Sequence, residues 1–139
     1  MMVLLGDPAL RLPALPQDVE LRAAETVEAG QAVTVRGRAP ARLEGARVQL
    51  TLERPASSTP ADLEPLPARG PERDRVMLAN HERANRFAVA SAEAVVQDGR
   101  FEARLEAPAR LPWSRLVLRA YAATELQEGL GVLPLAVAK

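Results

Sequence analysis

The chain has 139 residues, 47% of them apolar and 26% charged, with a formal net charge of +0 and no cysteine. Balanced charge argues against nucleic-acid binding, which normally needs a basic excess, and the missing cysteines exclude disulfides, thiolate nucleophiles and cysteine-ligated metals. No apolar run reaches the ~20 residues of a membrane helix, and aromatic residues make up only 3%, so a single domain with an aliphatic core is expected.

Met1 to Pro16 is apolar and broken by Pro8, Pro13 and Pro16. Proline forbids a regular helix there and favours extended chain, so residues 1–16 read as an extended tail. Its opening apolar residues are cut short by Gly6-Asp7-Pro8 and lack a basic leader, unlike a signal peptide. Residues 17–139 read as the folded unit. A first strand is expected within Asp18–Ala24, a turn at Glu28–Gln31 and a strand at Ala32–Arg38, with Val33, Val35 and Gly37 on one face. Ala46–Arg54 is the cleanest strand of this half. Val48, Leu50 and Leu52 alternate with Arg47, Gln49, Thr51 and Glu53, the two-residue period of a half-buried strand.

Five prolines between Pro55 and Pro71, with Ser57-Ser58-Thr59, predict a long loop over 55–72. Glu72–Arg86 permits a short helix or an edge strand at Arg75–Ala79 with a turn at Asn80–Asn85. The cluster of Asn80, His81 and Asn85 favours strand and turn. Strand alternation resumes over Phe87–Val96, with a break expected near Ala92-Glu93. Asp98-Gly99 predicts a type I′ turn and the pairing of Glu93–Gln97 with Arg100–Glu106. The latter strand alternates Phe101, Ala103 and Leu105 with Arg100, Glu102, Arg104 and Glu106. Ser114–Ala123 and Leu130–Val137 follow, separated by a turn over Thr124–Gly129. The sum is an all-β fold, a two-sheet sandwich of immunoglobulin or fibronectin type with about seven strands.

Catalytic chemistry finds little support. His81 is the single histidine and reads as a solvated turn residue; Ser57, Ser58, Ser91 and Ser114 lack a nucleophile-elbow context, and Asp74 is the only nearby aspartate. The five aspartates are dispersed, which disfavours an oxygen-ligand calcium site. Glu102 and Glu106 are explained by cross-strand ion pairs with arginine. No catalytic residue, metal ligand or cofactor site is assigned. For carbohydrate, the candidate platforms are Trp113, which reads first as a cap over the open end of the sandwich, and Tyr121, on the outward phase of its strand.

Leu4–Pro13 (LLGDPALRLP) resembles the segment that ends caspase-like cysteine peptidase domains of the gingipain type, a buried strand followed by Gly-Asp-Pro and an apolar tail. In that family an immunoglobulin-like sandwich follows the catalytic domain, and here a sandwich pattern follows Gly6-Asp7-Pro8. The likeness carries over no catalytic residue, because the family's Cys and His precede this motif. It implies a non-enzymatic accessory, structural or interaction domain of a larger peptidase-like protein, extracellular or in the cell envelope. The neighbouring domain would pack on Leu4, Leu5, Leu10 and Leu12. The alternative is a glycan- or protein-binding module using the 55–71 loop and Trp113.

Overall fold

The computed structural model describes residues 14–139. Eight strands are present among the described residues: β1 (Glu20–Arg22), β2 (Thr26–Val27), β3 (Ala32–Arg38), β4 (Arg47–Glu53), β5 (Ala88–Val95), β6 (Arg100–Glu106), β7 (Arg115–Ala123) and β8 (Glu128–Val137). Among the described residues the one α-helix, α1 (Pro71–Asn85), lies between β4 and β5, and a short 3-10 turn at Ala41–Leu43 precedes β4. The strands form two sheets, ordered β1-β3-β6 and β2-β8-β7-β4-β5. All pairings are antiparallel except β2 with β8. The protein is thus an all-β two-sheet sandwich. No helix among the described residues is long and apolar enough to cross a membrane.

The two-residue alternation decides which side chains meet. Val33, Val35, Phe101, Ala103 and Leu105 come from the smaller sheet. Val48, Leu50, Leu52, Leu116, Leu118, Ala120, Ala122 and Leu135 come from the larger, and all are buried in one aliphatic core. Gly37 occupies an inward position because the Phe101 ring, on its register partner, lies over it. On β8 the inward rows end in small pairs, Ala120 opposite Gly131 and Ala122 opposite Gly129. The segment Pro16–Leu21 passes there. The Leu130 amide donates to the Pro16 carbonyl at 2.9 Å, and Val19 donates to the Leu130 carbonyl at 3.3 Å.

Several expectations need correction. Glu72–Arg86 holds no strand: Gly70, whose φ of +97° suits glycine, is the N-cap of α1, with Pro71 in its first turn. Glu72 and Asp74 sit at its positive N-terminal end and Arg83 in its last turn, where the helix dipole favours each. The irregular stretch therefore ends at Gly70, not at 72. Asp98 and Gly99 do take positive φ, +52° and +68°, as the turn requires, but β5 and β6 do not form a ladder. Beyond a single bridge, Gln97 to Arg100, β5 pairs with β4 and β6 with β3. The turn is instead the corner where the chain crosses between sheets. The Glu44 carboxylate accepts both turn amides at 2.9 Å.

Smaller corrections concern bounds. β5 runs unbroken through Ala92-Glu93, and the irregularity falls at Leu52/Glu53 of its partner. The first strand is confined to Glu20–Arg22, and two-residue β2 was not expected. Gly129 and Gly131 lie within β8, the turn being closed earlier by the Thr124 amide donating to the Gln127 carbonyl at 2.9 Å.

A candidate ligand pocket under the β4–β5 insertion

Residues 54–87 leave the larger sheet after Glu53 and return at Ala88, its register partner. Arg54 stands at the gate. It continues the inward phase of Val48, Leu50 and Leu52 and is 4% exposed, the one charged residue among the buried side chains of the described residues. Such a group must be hydrogen-bonded to be tolerated. Its Nη2 donates to the Ala84 carbonyl at 2.6 Å, its Nη1 to the Ser58 carbonyl at 2.5 Å and its Nε to the Arg86 carbonyl at 3.4 Å. The guanidinium also lies 4.4 Å from the centroid of the Phe87 ring, a cation–π contact. One planar fork therefore ties together the loop, the carbonyl-rich end of α1 and the entry to β5.

Polar contacts hold the rest of the insertion. Val76 is the only residue of α1 that is buried, while Met77 and Leu78 are exposed. The Asn80 side chain accepts from the Glu64 amide at 3.0 Å and donates to the Glu64 carbonyl at 2.8 Å. Arg83 pairs with Glu64 at 2.7 Å and Asp62 at 3.6 Å, and Arg73 donates to the Pro67 carbonyl at 2.8 Å. A hydrogen bond from Arg75 holds the Glu72 carboxyl below the ordinary carboxylate range.

Trp113 closes the arrangement from the opposite side. It is half-buried against the core, and its indole Nε1 donates to the Thr59 carbonyl at 3.0 Å. Between Trp113, the Pro60–Asp62 stretch, the end of α1 and the start of β5 lies a pocket of about 270 Å³. Arg54, Arg83, Arg86 and Arg110 line it together with Asp62. A larger hollow of about 820 Å³ runs from the outward side chains of β1, β3 and β6, past Gly37 and Phe101, to Ala94 and Val95 at the end of β5 and Gln97. It is a broad, solvated surface on which Arg36 and Glu102 pair across strands at 2.7 Å.

Of the residues singled out from sequence, Trp113 and the 55–71 loop are brought together. Tyr121 is not with them: it lies near the far end of β7, roughly 20 Å along the strand from Arg115. There its hydroxyl donates to the Glu128 carboxylate across the β7–β8 turn. Leu4, Leu5, Leu10 and Leu12 lie outside the described residues. His81 sits exposed on α1 rather than in a turn, its ring nitrogen 3.1 Å from the Asn85 amide. Among the described residues no group of three His, Asp or Glu side chains is placed to hold a metal. Sequence reading missed Arg54, Arg86 and Arg110. A signal existed for the first, since its strand phase places an arginine inward.

The Glu128 hydrogen bond favours the protonated phenol and holds Tyr121 above the ordinary tyrosine value. Its contribution to stability is complete below the unfolded tyrosine's range and is lost as pH rises through the raised folded value. Tyr121 is the single tyrosine, so an absorbance titration reads it alone. Its midpoint is expected above that of the denatured chain, and Glu128→Gln should lower it. Coincident folded and denatured midpoints would contradict the contact.

No family model matches this chain, and no curated protein matches it. Among solved structures, the reeler domain of human F-spondin is similar at 12% identity and a TM-score of 0.50, covering 91% of this chain and 93% of that one. The sulfur carrier protein SoxY from Chlorobium limicola f thiosulfatophilum is similar at 16% identity and a TM-score of 0.44, covering 91% and 87%. At 12% identity the likeness to the reeler domain concerns the fold alone.

Proposed function

We propose that this chain is a non-catalytic binding module of the immunoglobulin-like class, whose ligand seats against Trp113 beneath the β4–β5 insertion. The observation that carries the reading is the Trp113–Thr59 hydrogen bond. It joins the chain's single tryptophan to the longest irregular segment among the described residues, around a concave space. A sheet sandwich needs neither that excursion nor the buried Arg54 fork that secures it. Loops carried on a rigid scaffold are where binding residues concentrate, and concave sites pair an apolar wall with a few placed polar groups.

The test uses Trp113 as its own reporter. Its indole N–H gives one resonance in a nitrogen-edited NMR spectrum of the full chain. Panels of glycans, peptides and small organic acids should yield a ligand that shifts this resonance and the amides of 59–62 and 86–89 saturably. Shifts confined to the outward face of β1, β3 and β6 would overturn the reading. So would silence across every class.

The accessory role beside a peptidase-like catalytic domain is a separate proposal. It is supported by the likeness of Leu4–Pro13 to the end of gingipain-type domains. The reading frame upstream of Met1 tests it: a Cys/His peptidase-like domain there is the expected result, and an unrelated one would remove its support.

A further inference from the structure

The lining of the Trp113 pocket is chemically lopsided. The chain as a whole balances 18 basic against 18 acidic residues, yet the pocket brings four arginines to one aspartate. Two of the four are committed. Arg54 is held by three backbone carbonyls, and Arg83 by Glu64 and Asp62. Arg86, at the C-terminal cap of α1, and Arg110, in the β6–β7 connection, reach the same space from different elements. Both are exposed, and among the described residues neither makes an ion pair. Like charges gathered around one concavity repel, and an anion bound between them would relieve that repulsion.

The rest of the wall limits what the anion can be. Trp113, Val89, Pro60 and Pro108 are apolar, so a bare inorganic ion would leave most of the surface unanswered. A space of about 270 Å³ corresponds to about nine waters of liquid volume, which suits an aromatic acid of similar heavy-atom count. Guanidinium forks match carboxylates two bonds at a time, and a flat ring can lie on an indole face. We propose that the pocket binds a carboxylate borne on a flat apolar body, with Arg86 and Arg110 clamping the carboxylate and Trp113 packing the body. This rests on the pocket being the ligand site. The same chemistry is offered by a free aromatic acid and by the C-terminus of a peptide ending in phenylalanine.

Titration of the full chain at low ionic strength, read at the Trp113 indole resonance, tests the proposal. Benzoate should produce a saturable shift. Benzyl alcohol, which lacks the charge, and acetate, which lacks the body, should each bind at least tenfold more weakly. Arg86→Ala and Arg110→Ala should each weaken benzoate about tenfold and together abolish its binding. Both side chains are exposed, so thermal midpoints should stay at the parent's value. The lysine variants, which keep charge without the fork, should fall between. N-acetyl-Gly-Phe binding more tightly than benzoate would identify a chain terminus as the source, and the reverse order a free acid; either supports the carboxylate site. Benzyl alcohol binding as tightly as benzoate would overturn the anionic chemistry while leaving the pocket a binding site. No shift with any of the four probes at millimolar concentration would overturn the carboxylate proposal. The wider reading then stands or falls on the glycan and peptide panels.

Discussion

Arg54→Ala is expected to lower the unfolding free energy by about 2–4 kcal/mol and to release α1 from the sandwich. Three carbonyls, of Ser58, Ala84 and Arg86, accept from one guanidinium, and hydrogen bonds to a charged group contribute about 1.5–3 kcal/mol each. The loss is smaller than their sum because water enters once the side chain is gone. α1 cannot compensate. It is 15 residues long and buries only Val76, and isolated helices of that length are marginal in water. Arg54→Lys should be intermediate, since one ammonium cannot span three carbonyls or stack on Phe87. Denaturant unfolding gives the global loss, and amide exchange over 71–85 the local one. If Val76 stayed as protected as in the parent, the proposed anchoring would be wrong.

Gly131→Ala should cost about 3 kcal/mol, toward the upper end for overpacking, despite adding one methyl group. A Cβ on Gly131 would stand 2.5 Å from the Val19 carbonyl oxygen and 3.0 Å from Leu21 Cγ. The obstacle is backbone, so no rotamer change relieves it. The crossing segment Pro16–Leu21 would have to lift, losing the Val19–Leu130 bond and straining β1 against β3. Val132→Thr, one residue on and facing outward, is the control and should change stability by no more than roughly 0.5 kcal/mol. Comparable losses in the two variants would refute the crossing-segment argument. Exchange at Val19 and Leu21 should rise in the first variant only.

These two residues also mark what was legible in the sequence. The sandwich was legible because burial on one face imposes a two-residue period. Val48-Leu50-Leu52, Phe101-Ala103-Leu105 and Leu116-Leu118-Ala120 all obey it. The Asp98-Gly99 turn was legible as a local conformation. Its partners were not, because two positive φ values fix a reversal without saying whether the strands share a sheet. α1 was illegible for a different reason. Val76, Met77 and Leu78 are consecutive, so no apolar stripe marks a helix face, and its ties to Glu64, Asp62 and Arg54 are not local. Trp113 stood out as a lone tryptophan. Arg86 and Arg110 did not stand out in an arginine-rich chain, where only the fold sets them across one pocket.

The insertion leaves and re-enters through neighbouring rungs. Glu53 opposes Ala88, and the Arg54 amide donates to the Phe87 carbonyl at 3.0 Å. To the sandwich, everything between is the tip of an ordinary hairpin, whatever its length. Natural variation could therefore lengthen, shorten or exchange this cassette without disturbing the aliphatic core. Ligand preference could drift while the scaffold stayed put, provided that an arginine remained at the gate to receive whatever helix came next.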